Sequence, residues 1–255
     1  MMSTQIESLK GRVPDAEWQM RVDLAAAYRL VAHFGWDDLI FTHISARVPD
    51  APGQFLINPY GMLFDEITAS SLVKVDHEGR PLLETPYEVS PAGFTIHSAV
   101  HEARPEIVCV MHTHTPHGVA VSAQQAGLLP ISQQAMFALT KMSYHDYEGV
   151  ALREDEKARL VEDLGRNKHM ILRNHGLLTC GRTVSDAFLA MYTLEAACRI
   201  QILAQSGDTA LTMVPDGASA NMGQQARQAT NGKGSNLAWP ALLRRLDRIQ
   251  PDYRD

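Results

Sequence analysis

The run EIVCVMHTH, residues 106–114, constrains the fold more than any other stretch of this chain. Its apolar and β-branched residues predict a buried β-strand. Segments on either side of it have a helical pattern instead. Residues 17–34 place apolar side chains at helical intervals, and residues 183–206 predict a long helix. A buried strand between helical segments indicates a sheet that helices cover on both faces.

Other short strands support this layered arrangement. Residues 39–48 and 54–59 are rich in β-branched and apolar residues, and residues 169–181 predict a pair of strands. Strands spaced this closely favour antiparallel pairing. We therefore expect an α/β domain that ends near residue 206.

The chain changes character after residue 206. Residues 207–236 are small and polar, which predicts a flexible linker. Residues 237–255 predict a docking helix and tail, whose apolar stripe needs a covering surface on this subunit or on another. The stripe consists of Leu237, Trp239, Leu242, Leu243 and Leu246.

Composition argues against several classes of protein. The formal net charge is −6 and no Lys/Arg-rich run is present, so no nucleic-acid partner is expected. No eighteen consecutive apolar residues occur, so no membrane span is expected. The three cysteines are scattered in apolar contexts, and the first residues lack the pattern of a secretory signal. These features predict a cytoplasmic protein with reduced thiols.

Three histidines occupy the ends of predicted strands. His112 and His114 are two residues apart, so they face the same way while Thr113 faces the other. His175 ends another strand and precedes a glycine that lets the backbone approach closely. Three imidazoles from two strand ends match catalytic zinc sites, where Zn–N distances are about 2.0–2.1 Å. For the first two histidines alone, hydrogen-bonded structural roles are the alternative.

Several motifs together resemble the class II aldolase and adducin family, and especially its adducin-like branch. They are NPYGMLFDEITASSLVKVD, AGFTIHSAVHEARPE, VMHTHTPHGVAVSA, GLLPIS, YHDYEG and ILRNHGLL. The resemblance covers nearly all of the predicted core. It implies a three-layer α/β/α sandwich with a central, mostly antiparallel sheet, and it assigns residues 1–206 to a metal-binding domain. It further implies a homotetramer with active sites between subunits.

The same resemblance assigns the metal ligands and shows where the chain departs from the sugar-phosphate aldolases. The implied ligands of a divalent ion are His112, His114 and His175, with zinc expected first and iron, manganese or cobalt as alternatives. The acid/base glutamate of those aldolases corresponds to Gly93. Their phosphate-binding loop corresponds to Thr42-His43. We therefore expect an unphosphorylated substrate that binds near Thr42 and Gly93.

Other side chains are candidates for the missing acid/base chemistry. His43, Tyr144 and His145 are predicted to be catalytic, because they lie at a strand end or in the YHDYEG motif. Arg173 is predicted to bind an anionic substrate, with pairing to an acid as the alternative. Three roles remain open for His117: a fourth metal ligand, a residue that supports the ligands, or a surface residue.

The residues and the resemblance together imply a divalent-metal-dependent carbon–carbon lyase. Its reaction would be aldol cleavage or decarboxylation of a small, unphosphorylated hydroxy- or oxo-carboxylate through a metal-stabilised enediolate. Two alternatives are a non-catalytic, adducin-like interaction or scaffold domain and an iron-dependent oxygenase on the same fold. The absence of a basic tail like that of adducins favours an enzyme.

Overall fold

A seven-stranded sheet with helices on both faces forms the core of the protein. The computed structural model describes residues 7–149, 154–207, 209–215, 217–218, 222–229 and 233–255. The strands are β1 (His43–Arg47), β2 (Phe55–Ile57), β3 (Val73–Val75), β4 (Cys109–Thr113), β5 (Met142–His145), β6 (His169–Leu172) and β7 (Gly176–Gly181). The helices are α1 (Asp15–His33), α2 (Pro91–Ala103), α3 (Pro116–Ser122), α4 (Gln133–Leu139), α5 (Glu154–Leu164), α6 (Val184–Gln205), α7 (Met222–Ala229) and α8 (Gly234–Ile249), with 3-10 turns at Phe64–Glu66 and Pro251–Arg254.

The strand order is β3-β2-β1-β4-β7-β6-β5. Neighbouring strands pair antiparallel except β5 and β6, which are parallel. This confirms the predicted α/β fold with a mostly antiparallel sheet. Strand β4 lies at the centre, so the histidines at its end are surrounded by both halves of the sheet.

The pleat of β4 and β7 directs alternate residues of these strands into two different core clusters. Met111 and Leu177 belong to a cluster that includes residues of α1 and α6. Val110 and Leu178 belong to a second cluster with Val100 of α2 and residues of α5. Because successive residues of a strand face opposite sides, helices cover both faces of the sheet. The three-layer α/β/α architecture is confirmed.

The predicted strand 39–48 is shorter in the structure. Leu39 adopts a φ of +50°, in the left-handed region, and the strand begins only at His43. The backbone therefore turns before the sheet, and Asp38, the residue before Leu39, lies against His114 at the end of β4.

The carboxy-terminal helix α8 packs on its own chain. The Trp239 ring lies 5.7 Å from the Phe188 ring of α6, and its Nε1 donates to Asp23 Oδ1 of α1 at 3.1 Å. Leu246 is fully buried, whereas Leu237 is exposed. The segment 207–236 includes helix α7 and the start of α8, so it contains more regular structure than expected for a flexible linker. The domain boundaries stay a prediction.

Helix α6 is the one described helix that is long and apolar enough to cross a membrane. Half of its most apolar window is buried within the protein. It packs against β7, α3 and α4. Core helices of globular domains have the same composition, and this packing explains the apolar character of α6.

Candidate metal centre

Three imidazoles meet beside the end of β4 and the turn between β6 and β7. One ring nitrogen each of His112, His114 and His175 lies within 4.8 Å of the others. Their ring centroids are separated by 4.7 to 4.9 Å. The structure therefore brings together the three histidines that the sequence suggested as ligands.

The alternation of β4 continues through His114, the residue after the strand, and so directs His112 and His114 to one side. Thr113 faces the opposite layer, where its hydroxyl donates to Met191 Sδ of α6 at 3.3 Å. The Nε2 atoms of His112 and His114 lie 2.9 Å apart. The strand period alone thus accounts for this half of the cluster.

A tight turn supplies the third imidazole. Asn174 has a φ of +56°, and the amide of His175 donates to Leu172 O at 3.1 Å. A Cβ on Gly176 would lie 2.4 Å from Thr113 O, so only glycine allows β7 to approach β4 this closely. The glycine after His175 is therefore a packing requirement of the site.

Hydrogen bonds fix which nitrogens face the centre. His112 Nδ1 lies 3.0 Å from Leu177 O, a carbonyl that only accepts hydrogen bonds. His114 Nδ1 lies 2.9 Å from Asp38 Oδ2. Both Nδ1 atoms therefore carry the proton, and in neutral rings both Nε2 atoms present lone pairs to each other. Two lone pairs 2.9 Å apart repel, and a cation between them removes the repulsion.

The lowered pKa values of His112 and His175 favour uncharged rings that can bind a metal ion. Burial lowers the pKa of His112 well below its ordinary value, and His175 lowers it further. Burial, followed by the neighbouring His114, lowers the pKa of His175 to about 4. At neutral pH these rings are uncharged and can donate lone pairs to a cation.

The donor set fits a divalent transition metal. Neutral imidazoles with a carbonyl or carboxylate on the other ring nitrogen are the usual ligands of zinc and related ions. Three protein ligands leave coordination positions for water or substrate, as in catalytic zinc sites. Ligation by His112, His114 and His175 stays a prediction that this geometry supports.

His43 lies beside the cluster and packs onto Gly93. It is opposite His112 in the β1–β4 ladder, with ring centroids 5.2 Å apart. A Cβ on Gly93 would lie 2.7 Å from His43 Nδ1. The imidazole therefore occupies space next to the position where the sugar-phosphate aldolases are expected to have their glutamate. His43 Nε2 and the hydroxyl of Thr42 are buried and have no hydrogen-bond partner in the described part of the chain.

Tyr144 and Arg173 are tied to each other. The Arg173 guanidinium lies 4.3 Å above the Tyr144 ring and donates to Gln124 O at 2.8 Å. The Tyr144 hydroxyl accepts from the amide of Leu128 at 3.1 Å. Tyr144 therefore has Arg173 and the Leu128 amide as partners. The guanidinium of Arg173 already has a backbone acceptor and an aromatic ring as partners.

His145 follows Tyr144 in β5 and faces a different environment. It lines a small cavity that Arg173 and His175 also line. Its Nδ1 lies 2.7 Å from Asp163 Oδ2. Of the two neighbouring candidates, His145 is therefore the one next to the metal cluster.

His117 supports the cluster from outside. Its Nδ1 lies 2.9 Å from Glu195 Oε1, and the same carboxylate accepts from the Thr115 hydroxyl. His117 does not belong to the three-histidine group. Because Thr115 follows His114 directly, the buried Glu195 holds the segment that carries this histidine. These contacts favour the supporting role for His117.

Asp38 has no sequence signal that marks it as a site residue. Its carboxylate determines the ring orientation of His114, yet it precedes the strand by a turn with no recognisable spacing. The general rule that a metal-ligating histidine donates to a carboxylate or carbonyl was the available signal. Only the fold shows which acid meets that requirement.

Comparisons with known proteins agree with this geometry. The family described as class II aldolase and adducin N-terminal domain matches residues 22–202. A Pseudomonas aeruginosa protein assigned to the class 2 aldolases is 57% identical over 249 residues, which are 96% of each chain. Rat alpha-adducin is 42% identical over 266 residues, which cover 97% of this chain and 36% of that protein.

Two solved structures share the fold. An aldolase II superfamily protein from Pseudomonas syringae has a TM-score of 0.91 and 51% identity, with 98% of this chain and 100% of that chain covered. The L-fuculose 1-phosphate aldolase of Glaciozyma antarctica PI12 has a TM-score of 0.82 and 27% identity, covering 100% of this chain and 97% of that one.

Proposed function

This chain belongs to the class II aldolase and adducin family, and on that premise we propose that it is a divalent-metal-dependent carbon–carbon lyase. Its substrate is a small, unphosphorylated hydroxy- or oxo-carboxylate, which it cleaves by an aldol or decarboxylation reaction. The observation that carries the proposal is the pair of facing Nε2 atoms of His112 and His114, 2.9 Å apart.

The chain's own residues give the site its chemistry. His112, His114 and His175 would hold the ion, and zinc is the first choice among zinc, iron, manganese and cobalt. A bound ion would supply Lewis-acid stabilisation of the negative charge that develops on a carbonyl or hydroxyl oxygen of the substrate. Asp38 keeps His114 in the ligating tautomer, and Leu177 O does the same for His112.

His43, Thr42 and Gly93 support the proposed substrate class. The His43 ring fills the space beside Gly93, so no acidic side chain fits there without displacing it. Thr42 Oγ1 and His43 Nε2 have no hydrogen-bond partner among the described residues, and the resemblance matches this position to a phosphate-binding loop. A substrate hydroxyl or carboxylate could form hydrogen bonds with these two atoms and is smaller than a phosphate. This supports an unphosphorylated substrate. Arg173 is a weaker candidate for the anion, because it already has partners.

Assembly as a homotetramer, with active sites between subunits, is part of the proposal. Leu39 and Phe41 are 62% and 54% exposed, and they flank the turn that holds Asp38 against His114. Exposed apolar side chains so close to the metal cluster favour burial by another subunit. A cytoplasmic location is likewise proposed, and the three buried free cysteines support it.

Metal analysis joined to a substrate screen tests the function. Protein purified without added metal should contain about one divalent ion per subunit, and His114→Ala should lose most of it while remaining folded. The reconstituted protein should cleave or decarboxylate hydroxy- or oxo-carboxylates and process L-fuculose 1-phosphate poorly. Full metal occupancy in His114→Ala would remove the basis of the proposal. Efficient cleavage of the sugar phosphate would refute the substrate class.

A second candidate function is an interaction domain like that of adducins. The 42% identity to rat alpha-adducin favours it. A metal-loaded protein that turns over none of the compounds would support this candidate. Oxygen consumption by an iron-loaded protein would instead identify an oxygenase.

A further inference from the structure

Helix α5 places a buried carboxyl group near the candidate metal centre. Glu156 is only 6% exposed, and its Oε2 has no hydrogen-bond partner in the described part of the chain. Its Oε1 lies 3.8 Å from His145 Nε2, which is also buried and has no hydrogen-bond partner there. Buried polar atoms without hydrogen-bond partners are rare in folded proteins, so this facing pair of a carboxyl group and an imidazole points to a function.

The two side chains share a cavity with a proposed metal ligand. His145, Glu156 and His175 line it together with Arg173 and the apolar Ile96 and Leu172. Its volume of about 10 Å³ accommodates roughly one water-sized group. The cavity therefore suits the passage of a proton to a reacting atom, and it is too small to bind a whole substrate.

The charges around Glu156 favour a carboxyl group that can hold a proton. Burial raises the pKa of Glu156 above its ordinary value, and Glu148 in the preceding loop raises it further. His145 and Arg159 oppose this effect by lowering the pKa. Asp163, on the same helix, holds His145 Nδ1 at 2.7 Å, which leaves Nε2 directed to Glu156. The arrangement links the exposed Asp163 to the cavity through one imidazole.

We propose that Glu156 is the catalytic acid and base of the lyase, in place of the glutamate that Gly93 replaces, and that His145 is its proton-exchange partner. The inference rests on the proposed lyase function. In the cleavage direction the carbon–carbon bond breaks and its electron pair passes into the carbonyl system of the substrate. The other fragment leaves as carbon dioxide in decarboxylation, or in aldol cleavage as an aldehyde whose former hydroxyl proton is released to water. The resulting carbon takes the proton of the Glu156 carboxylic acid, which becomes a carboxylate. His145, positioned by Asp163, then delivers a proton from water to Glu156.

Hydrogen exchange into a small probe tests this step without the natural substrate. By reversal of the same step, the Glu156 carboxylate removes a carbon-bound hydrogen next to a carbonyl group. The zinc-loaded full chain is incubated in D₂O with pyruvate and with dihydroxyacetone, and loss of the carbon-bound proton signal is followed by NMR. Glu156→Gln should lower the exchange rate by about 100-fold, the lower range for loss of an acid/base group.

Matched variants separate this role from a structural one. Glu162→Gln changes an exposed carboxylate on the same helix and should exchange at the wild-type rate with unchanged zinc content. Asp163→Asn should move the pH of half-maximal exchange while zinc content stays constant, because it acts through His145. If Glu156→Gln does not fold, Glu156→Asp retracts the carboxyl group by one methylene and should also slow exchange.

The outcomes distinguish the two proposals. Wild-type exchange in zinc-loaded Glu156→Gln overturns the role of Glu156 and leaves the lyase function intact. A wild-type protein that exchanges neither probe overturns the lyase function as proposed, and the role of Glu156 with it. Slow exchange in Glu156→Gln with normal zinc content supports both.

Discussion

The carboxylate of Asp38 offers a direct test of the metal centre, because it touches a proposed ligand without being one. It accepts the Nδ1 proton of His114 at 2.9 Å and so directs His114 Nε2 toward the other two rings. Removing such an acceptor typically weakens metal binding by about 10- to 100-fold. Asp38→Ala should therefore raise the zinc dissociation constant.

The exposure of Asp38 sets the expected magnitude. Its side chain is 46% exposed, so water can replace part of the lost hydrogen bond and screen the lost charge. We expect the lower end of the range, about 10-fold, which is about 1.4 kcal/mol. Asp38→Asn keeps an acceptor oxygen and should lose less.

Competition with a chromophoric chelator near neutral pH measures the zinc affinity of both variants. Asp37→Ala is the matched control, because Asp37 is the adjacent, exposed carboxylate. Affinity unchanged in Asp38→Ala would refute the argument that Asp38 fixes the ligating tautomer. An equal loss in Asp37→Ala would show that only the local charge matters.

Three further predictions concern packing, pH and the carboxy-terminal helix. Gly93→Ala should destabilise the fold by about 1–3 kcal/mol in urea unfolding, because its Cβ would lie 2.7 Å from the His43 ring, and His43→Ala should relieve the loss. Burial lowers the pKa of His169 to about 3, so the unfolded chain binds more protons as pH falls below about 6.5 and folding stability drops. This one histidine should lower the free energy of unfolding by about 2 kcal/mol at a pH of about 5. The metal-free His169→Asn variant should therefore show a shallower pH dependence of its melting temperature than the metal-free wild type. An identical pH dependence in the two proteins would contradict the assignment. Deletion of residues 236–255 should uncover α1 and α6 and lower the melting temperature, with light scattering to report whether the oligomer survives.

Local periodicity was enough to predict the layered fold and the common direction of His112 and His114. The pleat of an antiparallel strand has a period of two, so the opposite directions of His112 and Thr113 follow from the sequence alone. The position of His175 also followed, since a glycine after a strand-end histidine signals a close approach of two backbones.

Contacts between distant segments were beyond the sequence. The left-handed backbone at Leu39 delays the start of the predicted strand to His43 and brings Asp38 to His114, 76 residues away. Tyr144 and His145 look equivalent in the sequence, but the strand sends one ring to Arg173 and the other to the cavity beside His175. Glu156 has no motif of its own, and only the packing of α5 shows that its carboxyl group is buried.

The location of the three histidines also bears on how the chain unfolds. An ion held by His112 and His175 would act as a cross-link that closes the loop containing α3, α4, β5, α5 and β6. Such a link restricts the unfolded chain, so metal binding adds to folding stability as well as to chemistry. Chelation should therefore increase amide hydrogen exchange across this whole loop, while strands β2 and β3, outside it, keep their protection.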